Sequence, residues 1–185
     1  MVLGAILTAL VIILQSLATF TTFFGPFSTA LALIPIVIGA ALCGPIIAAW
    51  LGFVFGVVVI ATGGAALFWG FSIFGTIATV LVKGTACGLV AGLVYSPISK
   101  WNRTVAAVAA AVICPIVNTS VFLLGSAIFF LDSANDIAAI LKMDVSGMAL
   151  FWAMAMANFL FEIGMNIVLS PAIVRLINIR MKENS

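Results

Sequence analysis

Residues 73–95 read IFGTIATVLVKGTACGLVAGLVY, an apolar run that contains a single charged side chain, Lys83. A helix of about 20 residues rises far enough to cross the roughly 30 Å hydrocarbon core of a bilayer. The run is long enough for such a span, and the polar segment 96–103 follows it. We therefore predict a transmembrane helix from Ile73 to Tyr95.

The same composition extends over the whole chain of 185 residues, of which 65% are hydrophobic and 6% are charged. A soluble domain of this size needs more charge because its surface faces water, whereas a bilayer lets apolar side chains point outward. The net charge of +2 is too small to indicate nucleic-acid binding. The composition predicts an all-α integral membrane protein that forms one domain over 1–185.

Turn signals and polar stretches divide the chain into six predicted transmembrane helices. Gly25-Pro26, Gly44-Pro45 and Thr62-Gly63-Gly64 are the turn signals between the first four. The six helices are Val2–Ala18, Ser28–Leu42, Ile46–Ala61, Ile73–Tyr95, Thr104–Phe130 and Gly147–Ile177. They occupy most of the sequence, which leaves no room in it for an ATPase domain.

The distribution of basic residues orients these helices. If six helices alternate, most of the basic residues fall on one side: Lys100, Arg103, Arg175, Arg180 and Lys182. Cytoplasmic loops carry an excess of Lys and Arg, so both termini are predicted to be cytoplasmic. A count of five helices would remove this bias. The predicted location is the bacterial plasma membrane, crossed several times.

The cysteines give no indication of a metal site or a thiol enzyme. Cys43, Cys87 and Cys114 lie in apolar runs, and the chain has no CxxC motif and no histidine. Both the usual zinc ligand sets and Cys–His catalysis are thereby disfavoured. We expect three thiols that pack between helices, and we predict no metal and no cofactor.

Polar residues inside the predicted helices need an explanation, because an ionisable group at mid-membrane costs several kcal/mol. Lys83 and Glu162 both fall near mid-depth, where they could pair. Asn158, Glu162 and Asn166 are spaced by four and share one helix face, and Asn118 is central in the fifth helix. Two interpretations stay open: a structural network that joins helices, and the polar part of a ligand site.

Aromatic residues concentrate in two predicted outer loops. Phe24 and Phe27 lie in the first, and Phe68 and Trp69 in the second. An interfacial aromatic belt would favour Trp and Tyr over the Phe that dominates here. An apolar lid over a small-molecule site is the alternative, and the sequence favours neither.

Small residues recur at helical spacing in several helices. Ala5 and Ala9 form one pair, Gly52 and Gly56 a second, and the fourth helix carries a ladder at 84, 88 and 92. Such pairs let helix backbones approach closely in lipid. They can serve packing within this chain or docking onto a second membrane protein.

The order and spacing of these motifs resemble the substrate-binding S components of energy-coupling factor (ECF) vitamin transporters. The resemblance rests on Ala5-x-x-x-Ala9, Gly25–Ser28 with Ile34–Ala40, Lys83–Leu93, Pro115–Thr119 and Asn158–Glu162. It implies a six-helix bundle that binds a vitamin or related micronutrient from outside and catalyses no reaction. It also implies a transmembrane T component and two cytoplasmic ATPases as partners, with Ala5 and Ala9 in the motif that docks on the T component. The chain has no GxxxxGK[ST] phosphate loop, so energy from ATP must come from a partner.

Depth and side of the membrane select the predicted site residues. The polar contacts are assigned to Lys83, Asn118, Asn158 and Glu162, and the lid to Phe24, Phe27, Phe68 and Trp69. A pantothenate-like small vitamin is slightly favoured because Lys83 could bind a carboxylate. Riboflavin and cobalamin are the other candidates.

A second function is compatible with the same residues. Lys83 and Glu162 could form the ion-coupling cluster of a self-sufficient secondary transporter or small channel, although the six helices show no evident inverted repeat of three plus three. A membrane-embedded enzyme is disfavoured, since the sequence shows no histidine and no convincing nucleophile–base pair.

Overall fold

The chain folds into a helical bundle in the computed structural model, which describes residues 2–21, 30–70, 72–130 and 147–183. These residues contain no β-strand. The helices are α1 (Val2–Thr21), α2 (Ala30–Leu42), α3 (Pro45–Ala61), α4 (Ala66–Trp69), α5 (Ile73–Ile98), α6 (Arg103–Phe129) and α7 (Gly147–Glu183). The predicted all-α fold is confirmed, and the six predicted helices correspond to α1, α2, α3, α5, α6 and α7.

Three helices extend at least three residues past their predicted ends, and the other helix ends agree within two residues. α1 continues past Ala18 to Thr21, α5 continues past Tyr95 to Ile98, and α7 continues past Ile177 to Glu183. At the end of α5 the backbone N–H of Ser99 still donates to the carbonyl of Tyr95 at 2.9 Å. We predicted that the polar sequence after Tyr95 would end this helix. The backbone stays helical for another turn because its hydrogen bonds are still made there.

Two side chains cap the long helices α5 and α6. The Ser72 hydroxyl accepts a hydrogen bond from the N–H of Gly75 at 3.1 Å. The Asn102 side-chain oxygen accepts from Thr104 and Val105 at 2.9 and 3.1 Å. Ser and Asn are favoured at this position because a helix leaves its first N–H groups without internal partners. These caps set where the two helices begin and hence the register of the residues they carry.

The lengths and surfaces of the helices agree with a membrane environment. Among the described residues, three helices are long and apolar enough to cross a bilayer, namely Val2–Thr19, Ile73–Ile98 and Arg103–Phe129. Shorter apolar helices are Leu31–Leu42, Pro45–Ala61 and Ala155–Pro171. Large apolar side chains such as Ile46, Phe74 and Val168 are exposed. A water-facing surface would not carry so many of them, so they indicate a lipid-facing one.

The short helix α2 forms the centre of the bundle. It packs against α1, α3, α5, α6 and α7. Leu33, Ile36 and Val37 are completely buried, and the α2 sequence ALALIPIVIGAAL contains no polar side chain. α2 therefore presents an apolar wall to the helices around it.

Glycines determine how closely α3 and α5 approach each other. A Cβ atom on Gly84 would collide with the carbonyl group of Gly52, and one on Gly88 would collide with that of Ala48. A Cβ on Gly56 would lie 2.9 Å from the carbonyl oxygen of Val80. These glycines serve packing within the chain. Ala5 and Ala9, by contrast, are exposed on α1.

Candidate functional site

A line of polar side chains, all of them buried except the partly buried Lys83, lies between α5, α6 and α7, and we call it the polar seam. Each helix contributes residues four or eight positions apart, which places them along one face. Its members are Thr79 and Lys83 on α5, Asn118 and Ser126 on α6, and Glu162 and Asn166 on α7. The outer end of the seam is the end opposite Lys100 and Arg103.

A hydrogen-bonded pair forms the middle of the seam. The side-chain amide of Asn118 donates to both carboxylate oxygens of Glu162, with Nδ2 to Oε1 and Oε2 distances of 3.3 and 3.2 Å. Glu162 is 0% exposed and Asn118 is 2% exposed. This hydrogen-bonded pair joins α6 to α7.

Lys83 enters the seam from α5, where it is partly buried. Its ammonium lies 5.2 Å from the ring centroid of Phe122, within range of a cation–π interaction. Glu162 is close enough to attract it electrostatically. The pairing of the two charges stays a prediction. In the structure the ammonium contacts Phe122 and the carboxylate contacts Asn118.

Several polar atoms of the seam have no hydrogen-bond partner within the described part of the chain. They are the hydroxyls of Thr79 and Ser126, the Oδ1 of Asn118, and both polar side-chain atoms of Asn166. A buried polar group without a partner costs about 1–3 kcal/mol, and folded proteins contain few of them. This concentration of unpartnered polar atoms is suited to binding a small molecule that supplies the missing hydrogen-bond donors and acceptors.

Aromatic rings close the outer end of the seam. Phe68 on α4 contacts the ring of Phe122 edge-on at 5.6 Å and the ring of Phe130 at 5.5 Å, centroid to centroid. The Thr76 hydroxyl holds α4 in place, because it lies within hydrogen-bond distance of the carbonyls of Phe68 and Ser72 at 3.1 and 2.8 Å. Phe122 therefore links the aromatic cluster to Lys83, whose ammonium lies over its ring.

Space for Thr79 is made by a glycine on the facing helix. A Cβ atom on Gly125 would collide with the Thr79 side chain. The opposite side of the seam is formed by α2, whose residues are apolar. The seam consequently combines a hydrogen-bonding wall, an apolar wall and an aromatic outer end. These properties are typical of sites for small amphipathic molecules.

The structure brings some of the predicted site residues together, and others do not lie in the seam or are not described. Lys83, Asn118 and Glu162 come together in the seam. Phe68 contacts Phe122 at the outer end of the seam. Trp69 is 44% exposed on α4. Phe24 and Phe27 lie outside the described residues, and although Asn158 is part of α7, its side chain is also outside them.

Sequence reasoning missed the hydroxyls of Thr79 and Ser126 and the rings of Phe122 and Phe130. The spacing 118, 122, 126 along α6 was the available signal for two of them, since it marks one helix face. This spacing did not identify a site from the sequence alone, because Phe and Ser also occur on lipid-facing surfaces.

A second polar group, also missed, joins α1 to α3. The hydroxyls of Thr19 and Thr62 are 2.9 Å apart, and the Gln15 amide lies 3.5 Å from Thr19. Gln15 is 1% exposed. These contacts tie the two helices together near their outer ends.

Two of the cysteines behave as small packing residues. Cys87 and Cys114 are free and fully buried. The Cys87 thiol lies 3.1 Å from the carbonyl oxygen of Gly84, one turn earlier. Cys43 is only partly buried at the turn between α2 and α3.

Comparison with known protein families gives a match over most of the chain. A family model described as "ECF transporter, substrate-specific component" matches residues 1–174. No curated protein and no solved structure matches the chain.

Proposed function

Since the chain belongs to the family of ECF transporter substrate-specific components, we propose that it captures a small vitamin in the polar seam and delivers it for uptake. Members of this family are transport subunits that bind a substrate. The chain acts as a binding subunit and performs no chemical conversion.

The unpartnered polar atoms of the seam carry this proposal. Thr79, Ser126, Asn118 and Asn166 are each less than 5% exposed and hold donors or acceptors without partners in the described chain. A purely structural network would be expected to satisfy its own hydrogen bonds. A bound molecule that satisfies them gains free energy from each, because the cost of burying these groups has already been met in the folded protein.

A pantothenate-like substrate fits this set of groups. Pantothenate carries a carboxylate for Lys83, amide and hydroxyl groups for Thr79, Ser126 and Asn118, and methyl groups that suit the apolar wall of α2. Riboflavin would have to place a large flat ring among Phe68, Phe122 and Phe130, and cobalamin would require these rings to separate widely. The small anionic vitamin is therefore preferred.

Energy for uptake comes from partners in this proposal. Ala5 and Ala9 are exposed on α1. Because their side chains are small, a second membrane helix can approach the α1 backbone closely. This surface docks on a transmembrane T component, which in turn binds two cytoplasmic ATPases. The assembly operates in the bacterial plasma membrane with both termini of the chain on the cytoplasmic side.

The test is uptake by proteoliposomes that contain the chain, a T component and both ATPases. We expect uptake of labelled pantothenate that requires ATP and stops when the phosphate-loop lysine of the ATPases is replaced. Native mass spectrometry of the purified chain would identify a retained ligand independently. Uptake by the chain alone, driven by a proton gradient, would reject this proposal in favour of an ion-coupled transporter.

A further inference from the structure

The short turn between α5 and α6 places positive and aromatic side chains on the surface. Lys100, Trp101 and Arg103 are all exposed, and the exposed fraction of Trp101 reaches 88%. The sequence carries no acidic residue before Asp132, and neither Lys100 nor Arg103 forms an ion pair within the described residues. We call residues 99–103 the basic turn. It holds two uncompensated positive charges beside an exposed indole ring.

Hydrogen bonds hold the backbone of the basic turn. The N–H groups of Trp101 and Asn102 donate to the carbonyl oxygen of Ile98 at 3.0 and 2.9 Å. The Asn102 side chain also caps the start of α6. Because the backbone is held at both ends of the turn, the Cα atoms of Lys100, Trp101 and Arg103 keep fixed relative positions. Groups that are already ordered lose less conformational entropy when they bind a partner.

The length of α5 places the basic turn beyond the hydrocarbon core. α5 has 26 residues and is apolar enough to cross a bilayer. At about 1.5 Å per residue it rises about 39 Å, whereas the hydrocarbon core is about 30 Å thick. The exposed apolar side chains of Ile73 and Phe74 keep the start of α5 in the hydrocarbon, so the surplus length falls at its end. The basic turn follows that end directly, at the level of the lipid phosphates.

An exposed apolar surface continues from the basic turn along α6. Val105 and Val108, three residues apart on one helix face, are 47% and 37% exposed. Trp is enriched at membrane interfaces because its ring is apolar and its N–H is polar. An exposed indole next to exposed valines is therefore typical of a surface covered by lipid. A docking site for an acidic soluble protein would have polar surroundings instead.

We propose that the basic turn binds the phosphate group of an anionic phospholipid. The Lys100 ammonium and the Arg103 guanidinium donate hydrogen bonds to the phosphate oxygens, and a guanidinium can donate two parallel ones. The Trp101 ring lies beside the upper part of the acyl chains. Charge complementarity selects the lipid, because two cations attract a headgroup with a net negative charge more strongly than a zwitterionic one. This contact does not depend on which molecule binds in the polar seam.

Quenching of Trp101 fluorescence by brominated lipids tests this binding at the residue itself. With Trp50→Phe, Trp69→Phe and Trp152→Phe, Trp101 is the remaining tryptophan. The protein is placed in vesicles that contain dibrominated phosphatidylglycerol or dibrominated phosphatidylcholine. Bromine quenches at short range, so the quenching curve gives the relative binding constant of each lipid beside the ring. We expect a constant about tenfold or more higher for phosphatidylglycerol at low salt.

Two comparisons separate the basic turn from the rest of the lipid-facing surface. Lys100→Gln with Arg103→Gln removes both charges from exposed side chains and should bring the two lipids to nearly equal binding. The matched control is the protein in which Trp50 is the remaining tryptophan. Trp50 is 53% exposed on α3, whose sequence contains no charged residue, so both lipids should quench it equally. High salt should reduce the preference at Trp101, because it screens exposed charges.

Equal quenching of Trp101 by the two brominated lipids would overturn the proposal, as would a preference for phosphatidylglycerol that survives in the double variant. Absence of quenching by either lipid would place Trp101 outside the bilayer and overturn it in favour of an acidic protein partner.

Native mass spectrometry of the chain with its tryptophans unchanged provides a second measurement. From an equimolar mixture we expect more retained phosphatidylglycerol than phosphatidylcholine, and less phosphatidylglycerol on the Lys100→Gln, Arg103→Gln variant. Equal retention of phosphatidylglycerol by the variant and the unchanged chain would contradict binding at the basic turn.

Discussion

Two neighbouring faces of α5 differ in how they meet the rest of the bundle. Gly84 and Gly88 bring the helix into backbone contact with α3, whereas Thr79 and Lys83 project into the seam with α6 and α7. Lys83 and Gly84 are consecutive residues, so the two faces lie only about 100° apart. One helix thus forms both the tightest packing and the polar wall of the seam.

The difference shows how a small membrane protein can combine rigidity with a binding site. On the glycine face nothing larger than hydrogen fits, so the α3–α5 pair provides a fixed support. On the polar face, buried donors and acceptors have no partners within the described chain. The stability gained on the first face can offset the cost of polar groups held ready on the second.

The largest effect is expected from filling the glycine face. In Gly88→Leu the new side chain would collide with the backbone of Ala48, which cannot move without separating α3 from α5. We expect a loss of more than about 3 kcal/mol of folding free energy, and little or no monodisperse protein on size-exclusion chromatography. Gly164→Ala is the control, because no atom of the described residues lies within 4 Å of the added Cβ. Equal yields of the two variants would contradict the close α3–α5 contact.

The second-largest effect is expected from the hydrogen-bonded pair of Asn118 and Glu162 in the middle of the polar seam. Asn118→Leu removes the described donor to both oxygens of Glu162 and leaves that buried carboxylate with weaker compensation. The expected loss is about 1–3 kcal/mol, seen as a lower temperature of thermal unfolding in detergent. Asn102→Asp, at the start of the same helix, preserves a capping oxygen and should unfold as the unchanged protein does. If Asn118→Leu were as stable as the parent, the pair with Glu162 would not hold α6 to α7.

A smaller effect is expected at the aromatic outer end. Phe122→Leu removes the ring under the Lys83 ammonium and the edge contact with Phe68. These contacts position Lys83 and Phe68, and a loss of about 1.4 kcal/mol in that positioning would weaken ligand binding by about tenfold in a calorimetric titration. Phe53→Leu removes an exposed ring that stacks on Trp50 and should leave affinity unchanged. Similar losses in both variants would indicate a general effect of apolar area.

The smallest effect on stability is expected at the alanine pair, Ala5 and Ala9, on α1. Ala5→Leu with Ala9→Leu adds bulk to an exposed face of α1, so thermal stability should change by less than about 0.5 kcal/mol. Co-purification with the T component should nevertheless be lost. Ala61→Leu, exposed on α3, is the control and should retain the partner. Unimpaired assembly of the double variant would exclude this face as the docking surface.

The charged and amide members of the seam were predictable because their cost in a membrane is high. Lys83, Glu162 and Asn118 stand out in apolar helices, and any fold must place them together or near water. The hydroxyls were not predictable. Thr85 in the same helix donates to the carbonyl of Leu81 at 2.8 Å, whereas the Thr79 hydroxyl has no partner within the described residues. Both are threonines in an apolar helix, and only their surroundings differ.

The small-residue pairs illustrate the same limit at the level of packing. Ala5-x-x-x-Ala9 and Gly84-x-x-x-Gly88 have equivalent spacing, and the sequence allowed either pair to pack inside the chain or to meet a partner. The structure buries the glycines against α3 and exposes the alanines. Which pair faces inward depends on the helices that lie beside each one.

The sequence by itself determined that the chain is a bundle of apolar helices in a membrane, because the cost of transferring each side chain from water is local and additive along a segment. The tertiary structure alone decided which faces meet: glycine against backbone between α3 and α5, and Asn118 against Glu162 between α6 and α7. Lipid is as apolar as the helices, so burial does not select the partner of each face. Close packing and buried hydrogen bonds select it, and both depend on the positions of residues far apart in the chain.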